Sequence, residues 1–275
     1  MRGFRPVICA SIVALHAAAL YGVIYGFRHG RFPLSAWIWA FVMWRLSVIG
    51  VSVGYHRYFT HRSFQCDPWF EKVLCGLGLL AFEGTATQWT WDHSQHHRFA
   101  DQEGDPHSPV ARYRGIKGFF WGHVGWLFWQ TERPKGFELS PLAGTPIEAW
   151  ENNYGFAVTI ASLLFPLLVA GWPGFWLAGC IRIVFVWHIT WSINSFCHLF
   201  GETVDQFGRS RSGNQSRNNY WIIALDWIGE GWHRNHHEKP NCAYLGWRWH
   251  SLDLGKWTIQ LLALVGLVRN VRKPS

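Results

Sequence analysis

Four long apolar runs divide the chain. Residues 6–27 and 34–54 form the first two, joined by a short polar turn at 28–33. Residues 154–172 and 174–196 form the other two, joined by the tight turn Trp172-Pro173-Gly174. A helix needs about 20 apolar residues to cross a bilayer, so the pattern predicts four membrane-spanning helices. A signal peptide is the rival reading of 6–27. That run is too long for a signal's apolar region, and a second span follows at once, which favours a retained helix. Arg45 interrupts the second span, and Arg182 and His188 lie in the fourth. An arginine inside a span is costly and faces protein or water, so Arg45 is expected to be paired or shielded.

Residues 55–153 and 199–275 are more polar and carry only short apolar stretches. The stretch at 69–82 suits a buried or interfacial helix rather than a span. An acidic segment at 100–107 ends in a loop, Asp105-Pro106-His107. Residues 118–130 are aromatic and short, as for a segment on or in the membrane surface. Residues 201–219 read as a basic polar loop, 220–229 as a short apolar helix, and 255–271 as an amphipathic interfacial helix.

Charge distribution orients this arrangement. The two outer turns carry only Arg28 and Arg31, and the spans only Arg45 and Arg182. Every other Lys and Arg falls on the side of the termini. By the positive-inside rule that side is cytoplasmic. The fold class is therefore an all-α integral membrane protein with four transmembrane helices and a cytosolic helical cap. The cap comprises 55–153 and 199–275, within a single domain spanning 1–275.

Composition agrees. The chain is 49% hydrophobic and 15% charged, against a soluble average of about 25% charged. Twenty Trp and twenty Phe fit interface belts. The net charge of +8 does not indicate nucleic acid, because the basic residues are scattered between apolar runs with no basic arm. The six cysteines include no C-x-x-C pair, so no disulfide framework or thiolate zinc site is implied.

The histidines carry the chemistry. Two segments read H-x-x-H-H: His93, His96, His97 and His233, His236, His237. A looser H-x-x-x-x-H joins His56 to His61. Neutral imidazole binds iron, zinc, copper and nickel. On a helix, positions i, i+3 and i+4 share a face, so each H-x-x-H-H can project toward one place. Its adjacent pair differs by about 100° and could instead serve two neighbouring metals. His56 and His61 lie about 140° apart on an ideal helix, so they need an unwound helix end or two metals. A lone histidine in an apolar run is most often a packing residue; three such clusters in one membrane protein are hard to explain that way. His16, His29 and His250 read as structural, and His107, His123 and His188 as packing or supporting residues.

Span lengths add an independent argument. As helices, Ser35 to His56 measures about 32 Å and Gly174 to His198 about 36 Å. Both spans thus deliver a histidine to the same membrane face, and Asn194 shares the face of His198. The histidine clusters and His198 are expected to converge on a metal centre at the cytoplasmic surface.

These stretches resemble a known family. The matching segments are 54–64 around His56 and His61, 91–99 around the first H-x-x-H-H, Asp105-Pro106-His107, and 119–126. They continue with 194–201 around His198 and 229–237 around the last cluster. Together they are similar to membrane-bound fatty acid desaturases, specifically the acyl-CoA Δ9 (stearoyl-CoA-type) branch in its bacterial form. The resemblance covers roughly residues 35–255. It implies two non-haem iron ions bound by His56, His61, His93, His96, His97, His198, His233, His236 and His237. Asn194 would reach one metal through a water. It also implies an acyl tunnel beneath the metals. Tyr55, where alanine is expected, and Arg234, Glu238 and Lys239 depart from the pattern, as does the segment from His250 to Asp253.

The implied reaction takes O2 and removes two hydrogens from adjacent methylenes of a long-chain acyl thioester, with acyl-CoA favoured. A cis double bond and two waters result. An unactivated C–H offers nothing for a side-chain base to pull on, so metal chemistry is required. Carboxylates are expected to orient the imidazoles; Asp92, Asp101, Glu230 and Asp226 are the candidates, with Glu83 behind them. The resemblance is to the form without a fused cytochrome b5-like domain, so electrons are expected from a separate ferredoxin or cytochrome with its reductase. Arg62, Arg98, Arg209, Arg211 and Arg217 would attract that donor or the substrate's phosphates. The expected location is a bacterial inner membrane. Two rival functions are hydroxylation of an alkyl or sterol substrate at a similar poly-histidine site, and membrane metal transport or sensing. The second would call for ionisable groups along the spans, and the spans contain no carboxylate.

Overall fold

The computed structural model describes residues 3–130 and 134–274. It is mostly helical. Helix α1 (Pro6–Arg28) and helix α2 (Leu34–Ile49) follow the first two apolar runs. Beyond Ile49 the second run continues to Thr60 as a wide π-type helix, π1 (Gly50–Thr60). Then come α3 (Pro68–Leu79), α4 (Ala86–Phe99), α5 (Gly115–His123), α6 (Pro146–Gly174), α7 (Arg182–Leu199), α8 (Tyr220–Asp226), α9 (His233–Glu238) and α10 (Leu254–Leu264). A second π-type stretch, Phe175–Ile181, links α6 to α7.

Three helical runs are long and apolar enough to cross a membrane: Pro6–Arg28, Leu34–Thr60 and Pro146–Leu199. The last covers 54 residues and is broken at Ala170 and Gly171, whose backbone is not helical. The reversal expected at 172–174 thus falls at 170–171, where Gly171 takes φ 62°, a conformation that suits glycine. Beyond the break the chain runs back along α6. A methyl at Gly174 would meet the Pro166 carbonyl oxygen at 2.3 Å, and one at Gly179 the Leu163 carbonyl oxygen at 2.9 Å.

Two buried arginines tie these pieces together. Arg182 donates to Ala178 O, Ser47 Oγ, Leu80 O and Ser162 O and Oγ. It thereby joins α2, the end of α3, α6 and α7. Arg57, between the first two cluster histidines, donates to Ala243 O, Ile228 O and Asp253 Oδ1. Gly255 must lack a side chain there, since a methyl would sit 2.6 Å from the guanidinium carbon. The main apolar core packs π1 and α3 against α10 through Tyr58, Phe59, Phe64, Phe70, Leu74 and Ile259.

The C-terminal helix is shorter than its apolar pattern. It ends at Leu264, Gly266 takes φ 78°, and Val268–Arg269 pairs antiparallel with Gln65–Cys66. After Leu264 the chain therefore leaves the expected amphipathic helix, and Val268–Arg269 pairs as a short strand just beyond the end of π1.

Candidate metal centre

Helix α2 would end pointing His56 and His61 in different directions if it stayed α-helical. The π winding changes this. The His61 amide donates to the His56 carbonyl at 3.1 Å, a five-residue step. In such a helix residues five apart stack on one side, and π turns are frequent at functional sites. The two rings lie 4.9 Å apart between centroids.

Helix α4 starts at Thr85, whose hydroxyl accepts from Gln88 N, and presents His93, His96 and His97. The short α9 is held at its start from outside. Asn218 Oδ1 accepts from Arg234 N at 3.0 Å and Asn235 N at 3.3 Å. Helix α7 presents His198 near its last turn.

The nine histidines fall into two sets. His56, His61, His93, His97 and His236 form one; His96, His198, His233 and His237 form the other. Within each set the coordinating ring nitrogens lie within 4.8 Å of one another. In the first set, Nε2 neighbours are separated by 3.0 Å (His56–His236), 3.1 Å (His61–His93), 3.1 Å (His93–His97) and 2.7 Å (His97–His236). In the second they are 3.2 Å (His96–His237), 2.9 Å (His198–His233) and 3.1 Å (His233–His237).

Those separations suit a metal. Adjacent ligands about 2.1 Å from a cation lie about 3.0 Å apart in an octahedral or five-coordinate shell. The opposite ring nitrogens explain which tautomer faces inward. His56 Nδ1 lies 2.7 Å from Glu230, His96 Nδ1 2.9 Å from Asp105, and His198 Nδ1 2.8 Å from Asp101. His237 Nδ1 instead faces the Asn214 side-chain NH2 at 3.1 Å, a donor that does not hold a proton on this nitrogen. A proton held on Nδ1 leaves a lone pair on Nε2, the arrangement of metal-bound histidines. Lone pairs 3 Å apart repel unless a cation lies between them.

Protonation supports the fit. Burial and neighbouring imidazoles hold His93, His97, His233, His236 and His237 well below the usual imidazole range. These rings stay neutral and available as ligands. Burial also lowers His96, but the Asp105 carboxylate outweighs it and the net shift is upward. Burial pushes Asp101 up, and His198 with Ser108 and the Gln215 amide brings it below the carboxylate range. The set contains no thiolate and only nitrogen donors, which suits iron, zinc, copper or nickel.

The candidate carboxylates fall in different places. Asp101 and Glu230 orient His198 and His56. Asp92 accepts from Gln88 one turn back on its own helix. Asp226 lines the cavity below the clusters, and burial followed by the Glu230 charge pushes it well above the carboxylate range. Glu83 accepts from Trp89 Nε1 at 3.3 Å. Sequence reasoning passed over Asp105 and Asn214 as orienting groups. Asp105 lay in a motif segment, but its nine-residue separation from His96 matches no helical period. Asn214 sits in a polar loop with no distinguishing pattern.

That loop explains two departures from the family pattern. Buried Arg234 donates to Ser210 Oγ and Ser212 O, and pairs with Glu238 at 2.7 Å. Glu238 in turn accepts from the amides of Arg211 and Ser212. Held this way, the loop brings Asn214 to His237 and the Gln215 amide to Asp101. Tyr55 points away from the clusters, with its ring against Gly78 and its hydroxyl donating to Gly84 O.

The remaining histidines form other contacts. His107 stacks on His96 at 4.5 Å, and burial drops its pKa to about 3. His16, His188, His123 and Ser195 form a chain of ring and hydroxyl contacts of 3.0–3.1 Å. His29 packs on Tyr25 and His250 on Trp249.

Beneath the two sets lies a cavity. Val48, Val51, Ile189, Ile193 and Ile228 form its apolar wall, and His56, His93 and His233 reach its upper end. Ser52, Trp89, Thr190, Asn194, Asp226 and Glu230 complete the lining. Asn194 thus faces the space below the histidines.

Comparison with known proteins agrees with this geometry. Residues 31–264 match the fatty acid desaturase family. The chain is 33% identical to an sn-2 palmitoyl-lipid 9-desaturase of a Nostoc species, over 90% of this chain and 88% of that one. It is 35% identical to an sn-1 stearoyl-lipid 9-desaturase of Anabaena variabilis, over 91% and 89%. A hex-5-enoyl-[acyl-carrier protein] acetylenase of Moorena producens is 36% identical, over 85% and 75%. With most of its length matched and its histidines gathered above an apolar cavity, the chain belongs to the fatty acid desaturase family of oxidoreductases.

Proposed function

We propose that this protein is a membrane-embedded Δ9 fatty acyl desaturase with two iron ions. His56, His61, His93, His97 and His236 would hold one; His96, His198, His233 and His237 would hold the other. Asn194 would reach the centre through a water. The observation that carries this reading is the convergence of nine Nε2 atoms, in two sets, on the upper end of an apolar-walled cavity. When bound, the iron pair supplies the O2-dependent oxidising power that removal of unactivated hydrogens requires.

The chain's own residues do the rest. Glu230, Asp105 and Asp101 hold three imidazoles in the ligating tautomer. Val48, Val51, Ile189 and Ile193 exclude water from the acyl chain and hold two adjacent methylenes below the metals. Trp89 stacks on His93 at 4.8 Å and closes one side of that space. The balanced reaction takes two hydrogens from the chain, two electrons from a donor, two protons and O2, and yields a cis double bond and two waters.

The relatives' names support position 9 and a lipid-borne substrate. As carrier we propose a membrane glycerolipid, with the acyl-CoA thioester as the alternative outcome of the test. The break at Ala170 and Gly171 supports division of Pro146–Leu199 into two spans, hence four in all, within one domain. The distribution of Lys and Arg supports a cytoplasmic cap. Exposed Arg62, Arg98 and Arg211 would receive an acidic ferredoxin or cytochrome as electron donor.

Expression in a desaturase-deficient bacterial host, with gas chromatography of each lipid class and of acyl-CoA, tests the reading. New cis-9 monoenes in the lipid pool, lost with His96→Ala, are the expected result. Unchanged profiles despite stable protein and a competent donor would refute it. Iron content of the purified protein tests the metal separately.

A further inference from the structure

The face of α2 and π1 that carries Val48, Val51, Ser52 and His56 along the cavity continues one turn deeper, to Trp44 and Arg45. There the wall changes character. The Arg45 guanidinium lies 4.5 Å from the centroid of the Trp44 ring and 6.0 Å from that of Trp227. Its Nη1 donates to the Asp226 carbonyl at 3.1 Å. The Asp226 side chain is fully buried and lines the cavity.

Three buried polar atoms here have no hydrogen-bond partner among the described residues: Trp44 Nε1, Arg45 Nη2 and Asp226 Oδ2. An unmet buried polar atom costs about 1–3 kcal/mol, more when charged. Native structures leave few of them without a reason. Here Asp226 lines the cavity itself, and Trp44 and Arg45 adjoin it one helical turn beyond Val48, with Arg45 bonded to the Asp226 carbonyl.

Their chemistry is selective. Two are N–H donors. The third belongs to a carboxyl, which accepts when ionised and donates when protonated. A methyl-ended chain satisfies none of them. A keto oxygen suits only the protonated carboxyl. A hydroxyl can accept two bonds and donate one, so it matches the set in either state. We propose that the deep end of the cavity recognises an acyl chain bearing a hydroxyl group beyond the reacting methylenes. Arg45, Trp44 and Asp226 are then its specificity residues. The inference rests on the acyl-cavity reading above and narrows its substrate class. The hydroxyl is held, not transformed.

The test is competition binding to the purified full chain in lipid nanodiscs, without an electron donor. Tritiated stearate is displaced by a series of hydroxystearates with the hydroxyl moved from mid-chain to the methyl end. One position is expected to compete about tenfold better than plain stearate, equivalent to about 1.4 kcal/mol. Trp44→Phe, which removes one N–H and keeps the ring, and Asp226→Leu should each reduce that preference. Equal competition by all positions in the wild type would overturn the proposal, assigning the three atoms to water, while leaving the desaturase reading intact. Failure of stearate itself to bind would defeat the acyl-cavity reading and this proposal together. Because the wild-type series decides by itself, misfolding of Asp226→Leu would not obscure the result.

Discussion

His96 and His97 are neighbours in the chain, yet their Nε2 atoms belong to different sets. His96 meets His198, His233 and His237, whereas His97 meets His61, His93 and His236. The same division separates His236 from His237. The 100° step between adjacent helical residues thus lets each H-x-x-H-H contribute to both sets, and ties α4 and α9 to both at once.

This arrangement predicts separable metal losses. His97→Ala should empty the five-histidine site and His96→Ala the four-histidine site. Each variant should retain about one metal per chain, and both should lose desaturation. Elemental analysis of purified protein checks this. Loss of both metals in either variant would mean that the two sites form only together.

Asp101 accepts from His198, Ser108 and the Gln215 amide. Asp101→Asn should therefore loosen the His198 ring without removing a ligand. Loss of such an orienting carboxylate weakens metal affinity by about 10–100-fold. Metal retention against a graded chelator series measures it. Asp92→Asn, whose carboxylate accepts from Gln88 on the same helix, should change retention less than threefold, on the order of 0.6 kcal/mol.

Tyr55 and Gly78 form a matched pair. A methyl at Gly78 would sit 2.2 Å from the Tyr55 ring. Overpacking of this kind costs about 1–3 kcal/mol, so Gly78→Ala should lower the melting temperature in detergent. Adding Tyr55→Ala should recover part of the loss. Absence of any recovery would show that the penalty comes from elsewhere in α3.

Glu83 gives a pH signature. Burial raises its carboxyl to about 7, even though bonds from Thr190 and Trp89 pull it down. The folded protein then holds this proton more tightly than the unfolded chain does. Its contribution to stability is greatest below the unfolded carboxylate value of 4.5. It declines as pH rises and levels off above 7. Glu83→Gln should flatten this part of the melting-temperature profile between pH 5 and 8. An unchanged slope in the variant would assign the dependence to another group.

Much of this protein was legible along the chain. Hydropathy located the apolar helices, because a membrane-spanning helix must be apolar throughout and that requirement is local. The three clusters and His198 were visible because residue type and helical spacing are sequence properties. Other features depended on packing. That π1 widens to align His56 with His61, that Asp105 rather than Asp92 orients a neighbouring α4 ring, and that Asn214 reaches His237 all rely on segments distant in sequence. The halt of α10 at Leu264 depends on pairing with Gln65–Cys66, some two hundred residues away. The chain itself determined which imidazoles were available and on which side of the membrane they were expected. Only the tertiary structure decided how they divide between two sites, because that division depends on where α4, α7, α9 and π1 meet, and no single segment encodes a meeting point.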